Sequence, residues 1–119
     1  MKDQSILTNN GIDVNHGIEL LGDMEMYNET LQDFLDESST RIPNIIKYYN
    51  DNDLVNYEIL VHAQKSDSKY LGFTKLAEMS YNHEMAAKNN DSEYIKNNIN
   101  NLINEANRIV SVVKSYLGV

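Results

Sequence analysis

The chain has 119 residues, of which 41% are hydrophobic, enough to bury one core but not two. Its 18 acidic residues outnumber its 10 basic ones, and the formal charge of -8 argues against a nucleic-acid partner, because phosphate binding requires clustered lysine and arginine. The absence of cysteine excludes disulfides, thiolate metal sites and cysteine nucleophiles. We therefore expect a single folded domain over residues 1–119.

The sequence also bears on location. No apolar run approaches the roughly 18 residues that a membrane span needs, and the N-terminal residues lack the apolar segment of a signal peptide. We expect a monomeric cytoplasmic protein that binds neither membrane nor nucleic acid.

Helical periodicity dominates the chain, since there are one proline and five glycines and the apolar residues recur three and four positions apart. The N-terminal part shows clear boundary signals. Asp13 is a predicted N-cap of a helix of about two turns, Gly22 ends it in a left-handed conformation, and Asp23 caps the next helix. Pro43 predicts a kink or break in that helix near residues 38–43, because an internal proline costs about 3 kcal/mol or more.

Three further helices are predicted after the polar residues 50–53. They cover residues 54–71, which end at Gly72, residues 74–88, and a last segment after the turn at residues 89–92. Short connections place consecutive helices antiparallel. The predicted fold is all-α, an antiparallel up-and-down four-helix bundle with a short extra N-terminal helix.

His62 falls on the polar side of the helix over residues 54–71. At about 100° per residue, the predicted buried stripe of this helix lies away from it; its members are Ile59, Leu60, Ala63, Tyr70 and Leu71. A neutral imidazole is a nucleophile for phosphoryl transfer, and Lys65 and Lys69 on the same face could stabilise the added charge. The small side chain of Ser66 would let a partner approach. The alternative is a solvent-facing stripe with an incidental histidine.

The stretch HAQKSDSKYLG resembles the signature of histidine-containing phosphotransfer (HPt) domains, through His62, Lys65, Ser66 and Gly72. The segments GIDVNHGIELLGD and LAEMSYNHEMAAK extend the likeness to residues 11–110. The resemblance implies a four-helix bundle with a short extra helix. It also implies that His62 accepts a phosphoryl group from the aspartate of a response-regulator receiver domain and passes it to the aspartate of another.

The same resemblance implies further roles. Glu84 would hydrogen-bond the other imidazole nitrogen, and Lys88 would face the same phosphate, although Lys88 is also explained as an ordinary i,i+4 surface pair with Glu84. The domain itself would bind no cofactor, and the divalent metal would lie in the receiver. The expected partners are receiver domains and a hybrid histidine kinase.

Three residues, Gln64, Asp67 and His83, depart from the family's pattern. Gln64 replaces a commonly apolar residue, and its amide is expected to reach solvent. Asp67 projects into the predicted buried stripe, with no partner that the sequence can name. His83 is predicted to be a satisfied core histidine rather than a functional one. His16 has no neighbour at metal-ligand spacing, so no metal site is expected.

Two other functions remain open at this point. One is a non-catalytic helical adaptor that binds receiver domains. The other is the substrate domain of an ATP-dependent histidine kinase, phosphorylated on His62 by a kinase domain.

Overall fold

The chain folds entirely into helices joined by short turns. A computed structural model describes residues 2–119, which contain six α-helices and no β-strand. The helices are α1 (Ser5–Thr8), α2 (Val14–Leu21), α3 (Met24–Asn50), α4 (Leu54–Leu71), α5 (Thr74–Lys88) and α6 (Ser92–Leu117). The all-α prediction is confirmed. The single turn of α1 is an addition that the sequence did not indicate.

Aspartate side chains begin most of these helices by accepting a hydrogen bond from a backbone N–H in the first turn, which would otherwise lack a partner. The capping residues of α2, α3, α4 and α6 are Asp13, Asp23, Asp53 and Asp91. The glycines predicted to end α2 and α4, Gly22 and Gly72, both have positive φ, of 108° and 82°. These local signals explain why the predicted boundaries of α2 and α4 are confirmed. The predicted bounds of α5 are confirmed too, although Phe73 before it makes no side-chain cap.

The helix α3 continues through Pro43, so the predicted break is absent. Proline at this position removes one backbone hydrogen bond to the carbonyl four residues earlier. Ile42 and Ile45 on either side are buried in the core. Their packing holds both halves of α3 in place and outweighs the local loss.

The four long helices, α3 to α6, enclose the core. Among these four, α4 packs most extensively on α5. The helix α3 contacts α4 and α6, and α5 contacts α6. The two short helices lie outside: α1 packs on α6, and α2 packs on α3 and α4. The molecule measures 44 × 25 × 20 Å. The long dimension matches α3 and α6, since 27 residues of helix span about 40 Å. The largest fully buried side chains include Tyr27, Phe34, Tyr57, Phe73, Leu102 and Ile109.

The buried stripe of α4 differs from the predicted one. Its members are Tyr57, Val61, Gln64, Ser68 and Leu71, whereas Ile59 and Tyr70 are exposed. Gln64 is therefore buried, which corrects the expectation that its amide reaches solvent. Its Nε2 donates to Ser80 Oγ on α5 over 3.1 Å, so the polar group is accepted in the interior through a hydrogen bond.

Asp67 is half-buried and paired, which corrects the expectation of a buried carboxylate without a nameable partner. Arg41 Nη1 of α3 donates to Asp67 Oδ2 over 2.9 Å, and Arg41 Nη2 donates to Glu37 Oε2 over 2.8 Å. The arginine is largely buried, and burial together with the neighbouring Asp67 raises the pKa of the Glu37 carboxyl against the opposing effect of Arg41. The ion pairs join α3 to the face of α4 opposite His62.

Gly72 joins the end of α4 to the start of α2. Its carbonyl accepts a hydrogen bond from the Asp13 N–H over 2.9 Å, and a Cβ at this position would collide with the Asp13 backbone. Nearby, the buried Tyr27 hydroxyl donates to the Leu71 carbonyl over 2.6 Å. Only glycine combines the positive φ with this close approach.

Among residues 2–119, no helix has both the length and the apolar composition that crossing a membrane requires.

Candidate functional site

His62 and Glu84 form a pair across the α4–α5 interface. Nδ1 of His62 lies 2.7 Å from Oε2 of Glu84. The two side chains differ sharply in exposure, 57% for the histidine and 3% for the glutamate. The buried carboxylate of Glu84 thus fixes the orientation of a largely exposed imidazole.

Glu84 has two lysine partners besides His62. Lys65 Nζ donates to Oε1 over 2.7 Å, and Lys88 Nζ lies 3.4 Å from Oε2. Burial by itself raises the pKa of the Glu84 carboxyl, but hydrogen bonds and charge interactions from Lys65 and His62 outweigh it and lower the pKa from 4.5 to about 2. The carboxyl is therefore ionised at neutral pH, and its buried charge is compensated on both oxygens.

The charge of Glu84 determines the tautomer of the imidazole. An ionised carboxylate only accepts hydrogen bonds, so Nδ1 of His62 must carry the proton and donate it to Oε2. In the neutral ring, Nε2 then has a free lone pair. Among the described residues, no side chain or backbone group hydrogen-bonds Nε2. The arrangement presents an oriented nitrogen nucleophile at the surface.

Lys65 occupies a different position from the one predicted. Its ammonium group is bound to Glu84, lies 5.6 Å from the centroid of the Tyr81 ring, and is only 15% exposed. The sequence indicated the helical face of Lys65, but it did not indicate that the Lys65 side chain would reach to α5 and bind Glu84. In the structure, Lys65 supports Glu84, and through it the histidine, instead of extending into solvent beside the ring.

The other predicted residues lie nearby. Lys88 is half-exposed and forms the expected i,i+4 pair with Glu84, but the Glu84 carboxylate is buried, so this is not an ordinary surface pair. Lys69 is exposed and makes no ion pair within residues 2–119, and Ser66 is half-buried. Both line a groove of about 510 Å³, together with His16, Leu20, Lys65 and Tyr70. The structure therefore places α2 against the site, which the sequence did not predict.

Apolar side chains surround His62 on the surface of α4. We call Val55, Ile59 and Tyr70 of α4, with Leu20 of α2, the α4 apolar face; each is more than half exposed, and Val55 reaches 74%. The α4 members share a side of the helix with His62 because they follow one another at intervals close to whole turns. A cluster of exposed apolar side chains is typical of an interaction surface.

His83 is separate from the site although it precedes Glu84 in sequence. It is fully buried, its Nδ1 lies 2.8 Å from the Tyr57 hydroxyl, and its ring packs edge-on against Tyr94. Burial lowers the pKa of His83 from 6.5 to about 4, against the opposing effect of a hydrogen bond with the Asn98 backbone. The prediction of a satisfied core histidine is confirmed.

Metal ligands and relatives give no further indication. Residues 2–119 contain no group of three or more His, Cys, Asp or Glu side chains placed to hold a metal ion. In comparisons with protein-family models, curated proteins and solved structures, none matched this chain. The geometry around His62 is therefore the basis for a functional interpretation.

Proposed function

We propose that the protein is a phosphorelay intermediate of the HPt type, in which His62 carries the phosphoryl group. The observation that supports this proposal is the hydrogen bond between His62 and the buried, ionised Glu84, which leaves Nε2 exposed and nucleophilic. The cytoplasm and a monomeric state fit this role.

The transfer uses the lone pair of Nε2. Nε2 attacks the phosphorus of an aspartyl phosphate in a receiver domain, the N–P bond forms, and the P–O bond to the aspartate breaks with its electron pair returning to that carboxylate. The second transfer, to another receiver, reverses these bond changes. The divalent cation that neutralises the phosphoryl oxygens belongs to the receiver. In this chain, Lys69 is the cation free to approach the phosphoryl group, and Ser66 leaves space for it.

The arrangement of the helices and the surface around His62 also support this proposal. The short connections between α3, α4, α5 and α6 favour an antiparallel up-and-down four-helix bundle, which is the architecture that the HPt resemblance implies. The α4 apolar face, with its groove against α2, is the docking surface for the receiver. An interface of this kind is modest in area, so the receiver can dissociate after each transfer.

The test is transfer from a receiver domain carrying radiolabelled aspartyl phosphate. The purified chain is expected to acquire label that is stable to base and labile to acid, as phosphohistidine is. Peptide mapping should place the label on His62. Absence of label on this chain with every receiver of the same organism would contradict the proposal.

The same measurements distinguish the two alternatives. A receiver that binds the chain tightly without transferring label would indicate the adaptor. Label that comes from ATP through a kinase domain, and never from an aspartyl phosphate, would indicate a kinase substrate domain.

The docking surface gives a separate prediction. Replacing Val55, the most exposed member of the α4 apolar face, with aspartate places a charge within that face, and we expect the rate of transfer from a subsaturating receiver to fall roughly tenfold. Val119→Asp is the matched control, because Val119 is similarly exposed, at 71%, but lies beyond the end of α6 and is no part of the α4 apolar face. Equal rates for the two variants would show that the receiver binds elsewhere.

A further inference from the structure

The partner of His62 is a carboxylate, and a carboxylate does more than fix a tautomer. A neutral amide could accept the same hydrogen bond from Nδ1–H and would orient the ring equally well. A buried carboxylate adds a negative charge 2.7 Å from the ring nitrogen. Besides strengthening that hydrogen bond, the charge acts strongly on any positive charge that develops in the imidazole.

Phosphorylation at Nε2 creates such a charge. When Nε2 bonds to phosphorus and Nδ1 keeps its proton, the ring becomes a cation. Loss of the phosphoryl group then returns the electron pair of the N–P bond to Nε2 and leaves a neutral imidazole, which is a good leaving group. If Nδ1 has lost its proton to solvent, the leaving group is an imidazolate anion, and cleavage is slow. The lifetime of the phosphoryl group therefore depends on the proton at Nδ1.

We infer that Glu84 retains the Nδ1 proton after His62 is phosphorylated, and so holds the phosphoryl group in its short-lived, transferable form. This inference deepens the proposed function and rests on it for its biological meaning. If Glu84 acts in this way, the phosphoryl group stays on His62 only briefly and is passed on quickly to the next receiver. Glu84 is a positioning residue that acts through the ring and never contacts the phosphorus.

Among the charged groups around the His62 ring, Glu84 is the one that can hold the proton on Nδ1. Glu84 is hydrogen-bonded to Nδ1 of His62, and its own charged partners are Lys65 of α4 and Lys88 of α5, with the Tyr81 ring beside Lys65. Lys69 of α4 and His16 of α2 line the neighbouring groove, and Glu58 lies one turn before His62 on α4. Lys65 and Lys88 are bound to Glu84 and moderate its charge. Neither can accept the Nδ1 proton, because an ammonium group only donates.

The experiment compares the phosphohistidine lifetime in the wild type and in Glu84→Gln, which keeps the shape and the acceptor oxygen but removes the charge. Both proteins are phosphorylated with potassium phosphoramidate, a small donor that needs no receiver, and decay is followed by ³¹P NMR. At about pH 9, where unassisted phosphoimidazole is deprotonated, we expect the variant to keep its phosphoryl group roughly threefold to tenfold longer. At about pH 5, where both rings are protonated, the two lifetimes should converge.

Glu78→Gln is the matched control, since it removes one negative charge from an exposed position of the same helix. Its phosphohistidine should decay at the wild-type rate at both pH values. The ¹⁵N spectrum gives a second measurement, in which Nδ1 of the phosphorylated wild type should carry a proton at about pH 9 and Nδ1 of Glu84→Gln should not.

Equal lifetimes for wild type and Glu84→Gln at about pH 9 would overturn the inference. Failure of phosphoramidate to modify Nε2 of His62 would do so too, because the inference requires a free lone pair there. Both outcomes are independent of the receiver. If the lifetimes differ as expected but no receiver transfers its label, the proposed function fails while the chemistry of Glu84 stands.

Discussion

The variant His62→Gln is expected to take up no label from a phosphorylated receiver. Glutamine has no nitrogen lone pair that can attack phosphorus, so the loss should be complete and not partial. The His62 side chain is 57% exposed, but it donates to the buried Glu84, so its substitution should lower the free energy of unfolding by about 1 kcal/mol and leave the bundle folded. Label counted after gel electrophoresis, beside a thermal unfolding curve, measures both quantities.

The chain offers a control for this result. His16 is the other exposed histidine, and His16→Gln is expected to remain labelled on His62. Label that persists in His62→Gln, on His16 or on the buried His83, would show that the site assignment is wrong. If label is lost and the thermal curve shows that the variant is unfolded, the loss reflects unfolding and not the missing nucleophile.

Stability at mildly acidic pH is expected to depend on His83. Because burial lowers the pKa of His83 from 6.5 to about 4, the unfolded chain binds a proton between these values that the folded chain does not. The free energy of unfolding should therefore fall as the pH falls through this window, by about 3 kcal/mol in all. Above the unfolded value of 6.5, the full stability is present.

The double variant His83→Leu with Tyr57→Phe tests this dependence. The single change would leave the buried Tyr57 hydroxyl without its partner, whereas the pair of changes removes both polar groups. Urea denaturation at several pH values should show a shallower decline of stability between 6.5 and 4.5 for the double variant than for the wild type. Glu84 titrates lower, from 4.5 unfolded to about 2 folded, so its own loss of stability lies below this window. An unchanged slope would contradict the role of His83.

Local signals explain why so much of the fold was predictable. An aspartate cap or a glycine with positive φ acts on the few residues beside it, so Asp13, Gly22, Asp53 and Gly72 are recognisable without knowledge of the tertiary structure. The exposed position of His62 was also predicted, because helical periodicity groups it with charged residues such as Lys69, although the buried stripe of α4 was assigned to partly different residues.

Contacts between helices account for what the sequence did not show. Hydropathy assigns Ile59 and Tyr70 to the interior of α4, yet α4 buries Gln64 and Ser68 against α5 and exposes the two larger side chains. A buried amide is stable only if a specific partner such as Ser80 is present, and that partner lies in another helix. The position of Lys65 was missed for the same reason, because its partner Glu84 lies in another helix.

The hydrogen bond between Asp13 and Gly72 has a consequence for folding. It joins residues that lie far apart in sequence, at the two ends of a segment that contains α2, α3 and α4. A contact of this kind requires closure of a long loop, so it cannot form before both ends exist and the intervening helices have collapsed. During synthesis, this hydrogen bond therefore forms only after Gly72, the residue that ends α4, has left the ribosome. The contact of α2 with α4 is therefore completed only once His62, ten residues before Gly72 in α4, has also been synthesised.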